Sequence, residues 1–208
     1  MLFHEGKVIE NLVRIPEGWR LTQIDAFLAE KGIIKKGELT KISSADEGYL
    51  FPDTYRFVLD VTPEEIRSMM IDNFNKKTDG LKISSQDIII ASIVEREAKF
   101  DEDRPKIAGI YLNRLAKGMK LEADPTVQYA KGSWEPITVS DYTSVQSPYN
   151  TYLHEGLPPG PICNPGLKSI EAVLHPEKSD YLYFFHQTDG HAVYSKTLEE
   201  HRAQLKSP

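Results

Sequence analysis

Two carboxylates end a run of apolar residues. Ile88-Ile89-Ile90-Ala91-Ser92-Ile93-Val94 leads directly into Glu95, Arg96 and Glu97. The run is apolar all round, as in a buried helix. Glu95 lies seven residues after Ile88 and four after Ala91, on their stripe. A carboxyl group placed there is partly desolvated, which disfavours its charged form and raises its pKa. A general acid near neutral pH needs that property. The alternative is a helix C-terminal acid that turns to solvent or pairs with Arg96, Lys99 or Arg104. Glu97 follows Ile93 and Val94 and shares both readings.

A second group of residues suits a sugar. Tyr149-Asn150-Thr151-Tyr152 precedes Gly156-Leu157-Pro158-Pro159-Gly160-Pro161 and Asn164-Pro165-Gly166. Sugars present hydroxyl edges for hydrogen bonds and CH faces for aromatic stacking, and a Pro-rich loop displays amides, hydroxyls and rings rigidly. The alternative is a structural loop with half-buried tyrosines. Asp124-Pro125-Thr126 reads as a groove contributor or a turn, and Asn113 and Arg114 as inward-facing or surface residues. His4, His154, His175, His186, His191 and His201 lack metal-ligand spacing, and a single Cys163 makes neither a disulfide nor a Cys-pair zinc site. The nucleophile elbow, the phosphate-binding loop and the dinucleotide fingerprint are all absent. No metal or cofactor is expected.

Val8 to Ile15 alternates loosely and ends at Pro16-Glu17-Gly18, so it reads as a strand. Thr22 is positioned to cap a helix with Asp25 as its capping-box partner, and Gly32 ends that helix. Gly37 to Ser43 reads as a second short helix. Thr62-Pro63-Glu64-Glu65 opens a helix to about Lys77. Ser84 or Ser85 caps the apolar helix that ends in the two glutamates. Arg104 to Lys117 is helical, with Pro105 at its start and Gly118 beyond its end. Asp124 to Gly166 reads as one long functional loop. Ser169 to Leu174 is a short helix, Tyr181 to Phe185 a buried strand, Ala192 to Tyr194 a second strand, and Leu198 to Leu205 a closing helix.

The chain has 208 residues, a net charge of −6 and 40% hydrophobic residues. That supports one core plus a small module. The acidic balance argues against a nucleic-acid partner. No run approaches ~18 apolar residues, so no membrane-spanning helix is expected, and the first residues do not form a signal peptide.

The same segments carry a family resemblance. Ala91-Ser92-Ile93-Val94-Glu95-Arg96-Glu97-Ala98 resembles the ASI(V/I)EKE signature of MltG/YceG-like endolytic transglycosylases. Glu47 to Tyr55 is similar to their EG(Y/W)xxPDTY. Tyr111 to Leu115, Gly118 to Leu121 and Asp124 to Tyr129 resemble NRL, GMxL and DPTVxY. Tyr149 to Gly166 resembles YNTYxxxGLPPGPIxNPG, and His175-Pro176 with Tyr181 to Phe184 resembles HPxxxxYLYF. The motifs run in order from about residue 47 to 201, and Val13 to Ser43 resembles the trailing part of the family's LysM-like subdomain. Ala98 stands where the family more often has a small polar residue.

The resemblance implies an α+β fold: a partial LysM-like subdomain over residues 1–45, then a mostly helical catalytic domain over 46–208 with a short antiparallel sheet. It implies non-hydrolytic cleavage between N-acetylmuramic acid and N-acetylglucosamine, leaving 1,6-anhydro ends. Glu95 falls on the family's acid. Glu97, Asn113, Asp124, Thr126, Gln128, Tyr149, Asn150, Thr151, Tyr152, Pro158 and Asn164 fall on its glycan groove; the sequence offers no clear second carboxylate, and Asp124 and Glu97 are the nearest candidates for a supporting role. Peptidoglycan strands are the implied partner and wall synthases a candidate one. The implied location is the outer face of the bacterial cytoplasmic membrane, anchored by an N-terminal helix that these residues do not contain. A binding module without turnover, or a scaffold for synthases, would keep the same groove; only the enzyme needs its glutamate buried and protonatable.

Overall fold

The alternation over Val8 to Ile15 becomes strand β1 (Glu10–Arg14) in the computed structural model, which describes residues 10–206. Val8, Ile9 and His4 lie outside the described residues. The chain forms two compact units. The first joins the segment through Lys82 to Cys163–Gly166; the second joins Ile83–Ile162 to the segment from Leu167 onward. The first unit therefore continues past residue 45, because β1 finds its partner in β2 (Thr54–Val58).

In the first unit β1 and β2 are antiparallel, with Val13 opposite Tyr55 and Leu12 opposite Arg56. The period of two turns Val13, Tyr55 and Phe57 inward and leaves Leu12 exposed. Helices α1 (Leu21–Glu30), α2 (Glu38–Ile42) and α3 (Pro63–Lys77) supply Ile24, Leu28, Leu39, Ile66 and Met70 to the same core. Thr22 does not cap α1, which starts two residues earlier than such a cap would place it: Arg20 is the N-cap, and the Gln23 side chain accepts from its backbone N–H. Asp25 has a different task. Its buried carboxylate accepts from the backbone N–H groups of Gly37, Leu39 and Thr40, so it caps α2 across the turn. The Thr62 cap of α3 forms with its Glu65 partner.

In the second unit α4 (Ser85–Glu97) is the central element. Ser84 and Asp87 make the capping box, and every residue from Ile88 to Val94 is buried. It packs against α5 (Arg104–Ala116) and α8 (Leu167–Leu174). Gly109 lets the backbone of Glu177 approach α5, since a Cβ there would lie 2.5 Å from the Glu177 carbonyl oxygen. The stretch from Asp124 to Gly166 is not one loop. It contains α6 (Asp124–Lys131) and α7 (Asp141–Ser144), because Pro125 suits a first helical turn and Gly132, at φ 75°, closes the first of them. β3 (Tyr183–His186) and β4 (Ala192–Ser195) form an antiparallel hairpin, followed by α9 (Leu198–Gln204). All four residues of β3 are only partly buried, whereas its apolar run reads as a core strand: a two-stranded hairpin leaves one face uncovered, and here that face lines a cleft. The mixture of helices and small antiparallel sheets is an α+β fold. No helix of the described residues is long and apolar enough to cross a membrane.

Candidate active site

Residues two apart on a helix point roughly 200° apart, so Glu95 and Glu97 cannot share surroundings. Glu95 turns into the packing between helices. Its Oε1 lies 3.2 Å from a guanidinium nitrogen of Arg104, and its Oε2 accepts from the Ser169 hydroxyl at 2.8 Å. The two charged side chains are only 6% and 14% exposed. Arg104 also donates to Ser169 and to Asp101, so α4, α5 and α8 meet on this ion pair. Of the two roles open to Glu95 in the sequence, the structure fits pairing with Arg104, and Glu95 does not line the cleft described next. The resemblance assigns the acid to Glu95; of the two glutamates, Glu97 is the one that lines this cleft.

Glu97, the last residue of α4, faces a cleft of about 410 Å³. Its Oε1 accepts a hydrogen bond of 2.9 Å from the hydroxyl of Tyr111, which α5 buries almost completely. Burial holds the Glu97 carboxyl up at about 7. The Tyr111 bond and Arg96 pull it down, and the negative charge of Asp124 pushes it further up. Tyr111 itself is pushed well above the usual tyrosine range by burial and by Glu97. At neutral pH Glu97 therefore divides its time between donor and acceptor, which suits a group that must give a proton and take one back.

Asp124 and Tyr152 complete that side of the cleft. The Tyr152 hydroxyl donates to Asp124 Oδ1 at 2.5 Å, and its ring stacks on Tyr142 at 4.1 Å. Burial and Asp124 drive the Tyr152 hydroxyl far above its ordinary pKa. Two groups from the sugar-suited segment, together with Thr126 of α6, place this pair. Asn150 is fully buried; its amide nitrogen donates to the carbonyls of Tyr142 and Val145, and its oxygen accepts from Tyr152 N. Thr151 Oγ1 accepts from Ala123 N and sits 2.9 Å from Thr126 Oγ1, which ties the loop to the start of α6. Asn150, Thr151 and Thr126 thus brace Asp124 and Tyr152, with no exposed surface of note for a ligand.

The remaining expected groove residues are placed elsewhere. Asn113 donates to the carbonyls of Ser179 and Tyr181, and Gln128 to those of Trp134 and Glu135. Tyr149 packs on Tyr129 at 4.7 Å, and Pro158 is buried. None of these four lines the cleft. Asn164 belongs to the first unit. It accepts from Gly48 N and Leu50 N and donates to Trp19 O and Glu47, which uses the whole capacity of one amide.

The opposite wall is Tyr183, Phe184, Phe185, His186 and His201, which read in the sequence as strand core and ordinary helix surface. Burial lowers the pKa of both histidines, helped by Lys99 for His186 and by Arg114 for His201. Arg114, buried on α5, donates to the carbonyls of Lys120, Leu121 and Leu182 and pairs with Glu122 at 3.1 Å. Its role is to fix the cleft floor. The sequence signal for the wall was its aromatic density, which serves a core equally well. Among the described residues no three His, Cys, Asp or Glu side chains come together as a metal site.

Known proteins resemble this chain along most of its length. The model of the YceG-like family matches residues 2–207. The endolytic murein transglycosylase of Bacillus subtilis (strain 168) is 38% identical over 225 aligned residues, which cover 91% of this chain and 62% of that protein. The protein of the same name from Streptococcus pneumoniae (strain ATCC BAA-255 / R6) is 36% identical over 172 residues, 74% of this chain and 31% of its own. The chain thus spans less than two thirds of either relative. A crystal structure of a YceG-like protein from Listeria monocytogenes superposes with a TM-score of 0.82 at 38% identity, over 96% of this chain and 78% of that one.

Proposed function

The chain belongs to the YceG-like family, and from that membership we propose that it cuts peptidoglycan glycan strands internally, with Glu97 as the group that moves the proton. The observation that carries this reading is the Glu97 carboxyl: it faces an aromatic cleft, is anchored at one oxygen by Tyr111, and is held near neutrality by burial. The names of the relatives, endolytic murein transglycosylases, supply the substrate class.

The free oxygen of protonated Glu97 gives its proton to the oxygen that links N-acetylmuramic acid to N-acetylglucosamine. The bond from the muramyl C1 to that oxygen breaks, and positive charge builds on the muramyl ring. Glu97, now a carboxylate, takes the proton from the C6 hydroxyl of the same muramyl residue. The O6–C1 bond forms, the product carries a 1,6-anhydro end, and Glu97 is protonated again. No water is consumed, so the spacing that two-carboxylate hydrolases need does not apply. Tyr142, Tyr152 and Tyr183 line the cleft and supply aromatic surface for the CH groups of the sugars. The reaction belongs on the outer side of the cytoplasmic membrane, where the glycan is assembled and where an internal cut sets strand length. Wall synthases are the fitting protein partners.

Digestion of purified peptidoglycan with mass spectrometry of the products tests the reading. The chain releases 1,6-anhydro-muropeptides, and Glu97→Gln releases none. Full activity in a folded Glu97→Gln protein, or products bearing added water, would overturn it. A non-catalytic binding module would retain strands and release nothing.

A further inference from the structure

Three carboxylates line the cleft, Glu97, Glu122 and Asp124; Glu122 pairs with Arg114, and Asp124 has no cationic partner among the described residues. Asp124 forms no ion pair among the described residues; its side chain accepts from the Tyr152 hydroxyl. The neighbouring charges are otherwise engaged. Arg114 is matched by Glu122, Arg96 lies over the Trp134 ring at 4.1 Å, and the Lys120 ammonium donates to the Tyr152 carbonyl at 3.1 Å. Tyr111 and Tyr152 keep their protons, and burial favours neutral His186 and His201. Asp124 is therefore the uncompensated anion beside Glu97, and its charge reaches the Glu97 carboxyl.

We propose that Asp124 is the second functional carboxylate of the cleft, an anion that takes no part in the proton transfer and faces the positive charge that builds on the muramyl ring. This rests on the Glu97 reading and adds to it a residue that stabilises the transition state. Preorganised charge in a partly desolvated site acts most strongly where charge develops during the reaction. The bracing of Asp124 by Tyr152, and of Tyr152 by Asn150, keeps that charge from swinging away when the substrate enters. A purely structural acid at the start of α6 would serve only the helix dipole, and asparagine would replace it at little loss.

The test compares Asp124→Asn with the unaltered chain on soluble glycan strands, across pH. Asparagine keeps an acceptor for Tyr152 and removes only the charge. The expected result is a fall in kcat of about 100-fold, the size of one well-placed electrostatic group, with KM little changed. The pH at which activity falls on the alkaline side should move down, because Glu97 loses the anion that helps it hold its proton. Asp124→Glu should restore part of the rate. Unchanged kcat and an unmoved alkaline limb in Asp124→Asn, with Glu97→Gln inactive, overturn this inference and leave the Glu97 reading standing. An active Glu97→Gln overturns both. If Asp124→Asn does not fold, Tyr152→Phe takes its place: it leaves the charge and strips its hydroxyl donor. The limb should then move up, and an unmoved limb overturns the inference.

Discussion

Glu95 and Glu97 leave one helix for opposite fates: the first meets Arg104 at 3.2 Å between packed helices, the second meets Tyr111 at 2.9 Å in an open cleft. An ion pair between helices fixes a charge in place. A carboxyl with a neutral donor on one oxygen keeps the other free for exchange. The same residue type, two positions apart, thus meets an arginine in one case and a tyrosine hydroxyl in the other.

Replacing Glu95 should therefore damage the fold before the reaction. Glu95→Ala leaves the largely buried guanidinium of Arg104 with only Asp101 and Ser169 and should lower stability by about 2 kcal/mol, somewhat under the usual scale for breaking a buried pair because the Asp101 pair remains. Turnover per folded molecule should stay within about threefold, since a group that only packs contributes little to the barrier. Urea unfolding and cleavage assays on the same preparation check both numbers. Complete loss of turnover in well-folded Glu95→Ala would return the acid to Glu95.

Tyr111→Phe should move the reaction's pH dependence in the opposite direction to Asp124→Asn. The Tyr111 hydroxyl bond lowers the pKa of Glu97. Without it Glu97 holds its proton to higher pH, and the alkaline limb of the rate profile, expected near 7 in the unaltered chain, rises. A rate profile recorded from pH 5 to 9 reads the shift.

Stability itself should fall across neutral pH. Glu97 and Glu47 are both held up at about 7 by burial, from an ordinary 4.5. A raised pKa in the folded state means that the folded chain binds more protons than the unfolded one between those values. The protonated side chains support the fold fully below about pH 4.5, and that support is lost as pH rises through 7. Each group accounts for up to roughly 3 kcal/mol. Urea midpoints at pH 5 and pH 8.5 should differ in the unaltered chain, and the difference should shrink in Glu97→Gln.

Asn164→Ala should destabilise the first unit by roughly 2–4 kcal/mol, because it orphans the buried N–H groups of Gly48 and Leu50 together with the bonds to Trp19 and Glu47. Hydrogen exchange at Gly48 and Leu50 gives the readout. Protection unchanged from the unaltered chain would show that the amide is dispensable.

Local signals in the sequence carried much of this fold. The Thr62 and Ser84 caps, the buried run of α4 and the C-terminal hairpin follow from side-chain chemistry within a few residues. The choice between the two glutamates did not. α4 is buried all round, so periodicity gave no face to prefer, and the stripe shared by Glu95, Ile88 and Ala91 marked burial without saying what the carboxylate would meet there. Its partners, Arg104 and Ser169, come from two other helices. Of the four YNTY residues only Tyr152 lines the cleft, since Asn150 and Thr151 are taken up in holding the turn. The aromatic wall was hidden for a related reason: a cleft-facing ring and a core ring look alike in a sequence.

The four residues Cys163–Gly166 belong to the first unit although the chain has by then built most of the second. During synthesis the ribosome must deliver Asn164 before the amides of Gly48 and Leu50 meet their acceptor. The N-terminal unit is thus sealed only after Ile83–Ile162 has been made, and a gene fragment stopped at Lys82 would encode a strand-and-helix unit missing its keystone.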